Sequence, residues 1–272
     1  MTWTTRLAAA DDYPVFARLF PELAVPDPVP TAEDFTRGMV PRVVLASDAG
    51  GQAVGYAWWQ PYGARAHVVH LVVDRRARRS GAGRALLEDV RARALAAGCS
   101  RWYLNVKADN AAAIGLYSTA GFSPEHRSWS TSLPWRALAS LPAEAGASPF
   151  PVEPGHDLVV AARFGVDPGR LALLRTRPGV VLLGLRSAEG VVGFASFDPA
   201  FPGAYPFRVA RPALARLLLE AMHPHALEGF DFVRVVVEDD PPLLDALRTA
   251  GAGVLFEFVQ MGGPLAPAHP GR

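Results

Sequence analysis

The chain has 272 residues, half of them hydrophobic, with 27 basic against 26 acidic side chains and a formal net charge of +1. That balance excludes an acidic tail protein and a nucleic-acid binder that works through a strong global field. Cys99 is the single cysteine, so an internal disulfide and a cysteine-based metal cluster are excluded too, and no metal is expected.

Arg6, Asp11, Asp12 and Arg18 break up the opening residues, which leaves no secretory apolar core. No run reaches the ~18 uncharged apolar residues of a membrane helix. A soluble, cytoplasmic protein with no membrane or nucleic-acid partner is expected.

In chain order, Asp11 to Phe20 has helical spacing, with Val15, Phe16 and Leu19 on one side. A Pro-rich stretch runs from Pro21 to Pro30. Thr31, with Asp34 three residues on, predicts the start of a short helix through Met39. Val43–Ala46 and Ala53–Trp58 flank Asp48-Ala49-Gly50-Gly51 and predict a hairpin. His67–Val73 reads as a strand. Ala82–Ala97 reads as a helix with Leu86, Leu87, Val90, Ala94 and Leu95 on one face, ended by Gly98. Trp102–Val106 is a strand, and Asn110–Ala120 a helix stopped by Gly121.

From Pro134 to Pro154 the composition shifts to Ala, Pro, Ser and Gly, which predicts a joint. The second half then repeats the first. Val180–Leu183 and Val191–Ala195 mirror Val43–Leu45 and Ala53–Ala57, Val233–Val237 mirrors Trp102–Val106, and Ala250-Gly251 mirrors Ala120-Gly121. Repeats of this length indicate two copies of a domain. The expected division is 1–135, a linker over 136–155, and 156–272.

The copies differ between the fourth strand and the long helix. The first has Asp74-Arg-Arg-Ala-Arg78-Arg-Ser-Gly81-Ala-Gly83-Arg84, where the second has only Ala210–Ala215 without glycine. A glycine loop running into a helix N-terminus points several amides at one spot, and the helix dipole adds positive potential. The neighbouring arginines strengthen that sign, so the loop suits a pyrophosphate. It lacks the Gly-Lys-Ser/Thr of a Walker loop and the G-x-G-x-x-G of a dinucleotide fold.

The spacing Leu71-x-Val73, Arg78-x-x-Gly81-x-Gly83 resembles the acetyl-CoA loop of the GNAT superfamily of N-acetyltransferases. Asp109-Asn110-x-x-Ala113-Ile114-x-Leu116-Tyr117 followed by Gly121-Phe122 resembles the second signature of that family. The resemblance covers roughly residues 3–133; the second half resembles the same fold without either motif, with Leu247 where Tyr117 stands. It implies an α/β fold of two tandem GNAT-like domains, each a mixed, mostly antiparallel sheet flanked by helices, the first catalytic and the second degenerate.

The resemblance also implies acetyl-CoA as co-substrate and roles for particular residues. The strand edges Leu71, Val72 and Val73, and about Leu104–Val106, would bind pantetheine. Arg78, Arg79, Ser80, Gly81, Ala82, Gly83 and Arg84 would hold the pyrophosphate, and Asn110 would touch the pantetheine or phosphate side. Tyr117 stands at the position of the acid, and His67 at that of the glutamate base of some members. His70 is expected on the opposite face from His67, because strand residues alternate. Of Trp58 and Trp59, one is expected in the core and the other toward the acceptor. The acceptor would be a small-molecule or peptide amine, and the protein a monomer or homodimer. The alternative is a non-catalytic acyl-CoA-binding sensor or interaction protein.

Overall fold

The computed structural model of the chain describes residues 3–25 and 28–265. Within the Pro-rich stretch, residues 26 and 27 lie outside the described residues.

The strands are β1 (Thr4–Leu7), β2 (Val43–Ser47), β3 (Ala53–Tyr62), β4 (Arg65–Val73), β5 (Arg101–Lys107), β6 (Ser123–Pro134), β7 (Ser148–Pro151), β8 (Val181–Ser187), β9 (Gly190–Asp198), β10 (Gly203–Val209), β11 (Phe232–Glu238) and β12 (Gly253–Pro264). The helices are α1 (Tyr13–Leu19), α2 (Ala32–Asp34, continued by a wider turn over Phe35–Met39), α3 (Ala82–Ala96), α4 (Ala111–Thr119), α5 (Asp157–Phe164), α6 (Pro168–Arg175), α7 (Ala215–Met222) and α8 (Pro241–Thr249).

Contacts divide the chain into two units that are not contiguous in sequence. Among the described residues the first holds 3–25, 28–106, 110–125 and 260–265, and the second holds 107–109 and 126–259. This differs from the expected boundary at 135, because β6 and β12 each pass from one unit into the other. The expected linker 136–155 is structured as well. Leu138, in a tight helical turn over Trp135–Ser140, is buried, and β7 pairs antiparallel with β8. The few large apolar residues of that stretch bury, and its small residues hid them in the composition.

In the first unit, β1, β2, β3 and β4 follow one another antiparallel, and α3 crosses over to bring β5 parallel to β4. The β2–β3 turn is held by Asp48, whose Oδ1 accepts from the Gly50 and Gln52 amides. Thr31 caps α2, accepting from the Asp34 N–H at 3.1 Å. On one face of the sheet Phe16, Leu19, Phe35 and Met39 pack with Leu45, Tyr56 and Val72. Leu86, Leu87, Val90 and Ala94 of α3 are buried, and each such leucine contributes about 2 kcal/mol of hydrophobic stabilisation. The last stretch of the described chain returns to this unit: the Leu265 N–H donates to the Ser100 carbonyl at 2.8 Å, and Ser123 Oγ to the Gly262 carbonyl at 3.3 Å.

In the second unit the order is β6-β11-β10-β9-β8-β7. β6 is antiparallel to β11 from Phe232–Pro134 to Glu238–Ser128. The connection from β10 to α7 is a short turn over Pro212–Leu214. Leu247, opposite Tyr117 in the repeat, is fully buried. β10 and β11 pair only at Gly203–Arg234 and Ala204–Val235. Beyond those pairs Arg208 makes an ion pair with Glu238, and the Tyr205 hydroxyl donates to the same carboxylate at 2.7 Å.

Among the described residues no helix is long and apolar enough to cross a membrane. Nor do three or more His, Cys, Asp or Glu there gather into a group that could hold a metal ion.

Candidate active site

β4 and β5 form a wedge. Their parallel pairing runs through Arg65–Arg101, Ala66–Trp102 and His67–Tyr103 and ends there. On its other side β4 stays paired with β3 as far as Val73–Gly55. The edge of Leu71, Val72 and Val73 is therefore unmatched by β5, and a thin extended ligand could take the place of the missing strand. The three expected edge residues of β4 lie on this splayed segment, and Leu104–Val106 of β5 lie beyond the last β4–β5 pair, His67–Tyr103.

The wedge leads into the glycine loop. Asp74 caps a tight turn over Arg75–Ala77 by accepting from the Arg76 N–H at 3.0 Å. That bond, helped by the Arg18 and Arg76 charges, holds the Asp74 carboxyl below its ordinary range. Arg79 takes the left-handed conformation at φ 62° and Gly81 at φ 98°. Ala82 then opens α3 with no side-chain cap, so the first-turn amides lack intrahelical partners. The helix-side glycine is needed for a different reason. A Cβ on Gly83 would stand 3.1 Å from Leu116 Cδ2, so it sets the approach of α3 to α4.

Of the loop arginines, Arg78 is engaged: it donates to the Val73 carbonyl at 3.1 Å and to Glu22 Oε2 at 2.7 Å, where Arg75 also binds at 3.0 Å. Arg79 and Arg84 are exposed. Ser80 Oγ donates to the Ala77 carbonyl, and the Ser80 carbonyl accepts from the Trp3 indole at 3.0 Å. Sequence reasoning missed both Glu22 and Trp3. Each lies far from the loop along the chain, and neither belongs to a motif.

Asn110 caps α4, its Oδ1 accepting from the Ala113 N–H at 3.1 Å. Tyr117 lies on α4 with 8% of its surface exposed, edge-on to Phe122. Burial disfavours the phenolate and pushes its pKa up to about 12.

The two histidines stand differently from the expectation. Val69 is an extra residue in β4: Trp58 faces His70 while the next residue, Trp59, faces Val68. His67 faces Gln60, which is two residues from Trp58 and so shares its face. The bulge thus places His67 and His70 on the same face, and the alternation expected from sequence fails at that point. His67 stacks flat on Tyr103 at 4.5 Å. His70 packs edge-on against Phe20, Tyr56 and Trp58, with the Tyr56 hydroxyl 3.3 Å from its Nδ1. Trp59 is buried in the core and Trp58 lies half-buried against His70.

Burial lowers the His70 pKa to about 4 from the ordinary 6.5. A neutral buried histidine contributes its full stability above 6.5 and loses it as pH falls through 4, because the unfolded chain takes up a proton that the folded one refuses. His70→Phe is expected to flatten urea stability across that window. An unaltered pH slope in the variant would mean that His70 is not the group held neutral.

Residues 12–122 match the Acetyltransferase (GNAT) family. This segment is a GNAT-family domain. The splay and the glycine loop both fall inside it. No curated protein matches the chain by sequence.

Solved structures extend the likeness over the whole chain. A GCN5-related N-acetyltransferase from Sphaerobacter thermophilus aligns over 98% of this chain and 97% of its own, with a TM-score of 0.72 at 20% identity. A tandem GNAT protein from the clavulanic acid biosynthesis pathway aligns over 98% of this chain and all of its own, with a TM-score of 0.65 at 19% identity. A GCN5-related N-acetyltransferase from Anabaena variabilis aligns over 97% of this chain and 73% of its own, with a TM-score of 0.61 at 12% identity. At such identities the likeness is one of fold: two GNAT-like domains in tandem.

Proposed function

We propose that the first unit transfers acetyl from acetyl-CoA to a primary amine. The observation that carries this reading is the splay of β4 from β5 opening toward a glycine loop at an uncapped helix start. Pantetheine would lie along Leu71, Val72 and Val73, with its pyrophosphate over the segment from Arg78 to Arg84. Asn110 closes the other side.

The amine nitrogen attacks the thioester carbonyl and forms the C–N bond. The C–S bond breaks and its electron pair leaves on sulfur. Tyr117 gives its proton to that thiolate; its raised pKa keeps the proton in place at neutral pH. The amine sheds a proton through water toward His67, and β4 amides receive the oxyanion. The second unit carries no equivalent loop or tyrosine, and its own splay holds the Arg208–Glu238 pair, which supports a single cofactor site per chain.

Calorimetric titration of acetyl-CoA, followed by an amine panel with detection of released thiol, tests the reading. Binding at one equivalent per chain, with thiol release that depends on the amine, is the expected result. Absence of binding overturns it.

A further inference from the structure

The bond from Trp3 to the cofactor loop acts on one peptide plane. The Trp3 indole N–H donates to the Ser80 carbonyl at 3.0 Å. That carbonyl and the Gly81 amide belong to the same peptide unit, and in a planar trans peptide the C=O and N–H point in opposite directions. Fixing the carbonyl toward the indole therefore fixes the Gly81 N–H away from it. A peptide ahead of glycine flips at low cost, because glycine takes either sign of φ without a Cβ clash. Gly81 is held at φ 98°, and a Cβ built on it would meet Trp3 Nε1 at 3.5 Å, so the indole lies directly against it.

Trp3 is itself anchored. It directly precedes β1, which pairs with β2 from Thr4–Ser47 to Leu7–Val44. Thr5 Oγ1 donates to Asp89 Oδ2 on α3 at 2.8 Å. The same short segment therefore braces both the loop and the helix that the loop enters. The Ser80 hydroxyl, bound to the Ala77 carbonyl, closes the loop from inside.

We propose that Trp3 is a positioning residue for the acyl-CoA pyrophosphate, holding the Ser80–Gly81 peptide so that the Gly81 amide is presented to the phosphate oxygens. The proposal rests on the acetyl-CoA reading of the loop. Trp3 does not touch the reacting atoms; it sets the direction of one donor.

The test uses the full chain and two variants, Trp3→Phe and Thr5→Val, titrated with acetyl-CoA by calorimetry and by intrinsic fluorescence. Trp3→Phe keeps an aromatic ring and removes the donor, and is expected to weaken binding by up to roughly tenfold, the upper end of what one neutral hydrogen bond contributes. Thr5→Val cuts the brace to α3 and leaves the loop bond intact, so its affinity is expected to stay near that of the wild type. Acetyl-CoA is expected to change the emission of the wild type by more than that of Trp3→Phe. Equal affinities in wild type and Trp3→Phe, or equal losses in the two variants, overturn the proposal, the second by making Trp3 a general brace. Should Trp3→Phe fail to fold, hydrogen exchange at the Trp3 indole of the wild type decides. Slower exchange with acetyl-CoA supports the proposal, because the ligand and the Trp3–Ser80 bond stabilise each other, and an unchanged rate overturns it. A wild type that does not bind acetyl-CoA at all overturns the cofactor reading itself, and this inference with it.

Discussion

Gly81→Asp is expected to raise the acetyl-CoA dissociation constant about a hundredfold in a chain that still folds. Two costs add. At φ 98° any side chain meets the left-handed penalty, about 1–2 kcal/mol, which reaches the dissociation constant as the free loop relaxes out of that conformation and must return to it on binding. The new carboxylate then stands in the loop proposed for the pyrophosphate, and like charges at about 4 Å cost between 1 and 4 kcal/mol as the local dielectric falls from that of water. Gly81→Ala separates these costs, since it carries the strain without the charge and is expected to lose tenfold or less. The added Cβ meets only the Trp3 ring, 3.5 Å from Nε1 and 3.8 Å from Cδ1, so backbone strain and not a clash is the cost to the fold in both variants. Calorimetry on the three proteins, with melting curves alongside, gives the comparison. An aspartate variant that binds as tightly as the wild type would remove the loop from the cofactor site.

The parts of this fold that could be read from sequence were those encoded locally. The Thr31 cap, the Asp48 turn and the apolar stripe of α3 each follow from residues a few positions apart, and each stands where its pattern puts it. The glycine loop was equally legible, since Gly81 and Gly83 answer to backbone needs that a short spacing records. Long-range features were not legible. β6 and β12 cross between units, and nothing in their composition marks the crossing. The bulge at Val69 reversed the expected face of His70, because one unmatched residue is invisible in a run of valines. Trp3 and Glu22 reach the loop from distant segments through single hydrogen bonds. The candidate site was thus readable as a motif, while the residues that hold the motif in shape needed the fold.

Tyr117→Phe is expected to cost two to three orders of magnitude in amine-dependent thiol release, about what a positioned acid supplies, and to leave acetyl-CoA affinity unchanged. The ring keeps its edge-on contact with Phe122 at 5.9 Å, so packing changes little. The pH profile separates an acid from a packing residue. Tyr117 is protonated below its raised pKa of about 12, so the wild-type rate should climb as the acceptor amine deprotonates and meet no alkaline fall before that value. An alkaline limb near the ordinary tyrosine pKa of about 10 would mean that another group gives the proton. The same variant weighs the enzyme against the alternative of a binding module. A sensor uses the cofactor's affinity alone, so a loss of turnover with affinity intact favours the enzyme. Turnover that survives the loss of the hydroxyl leaves the thiolate to be protonated by water and takes Tyr117 out of the mechanism.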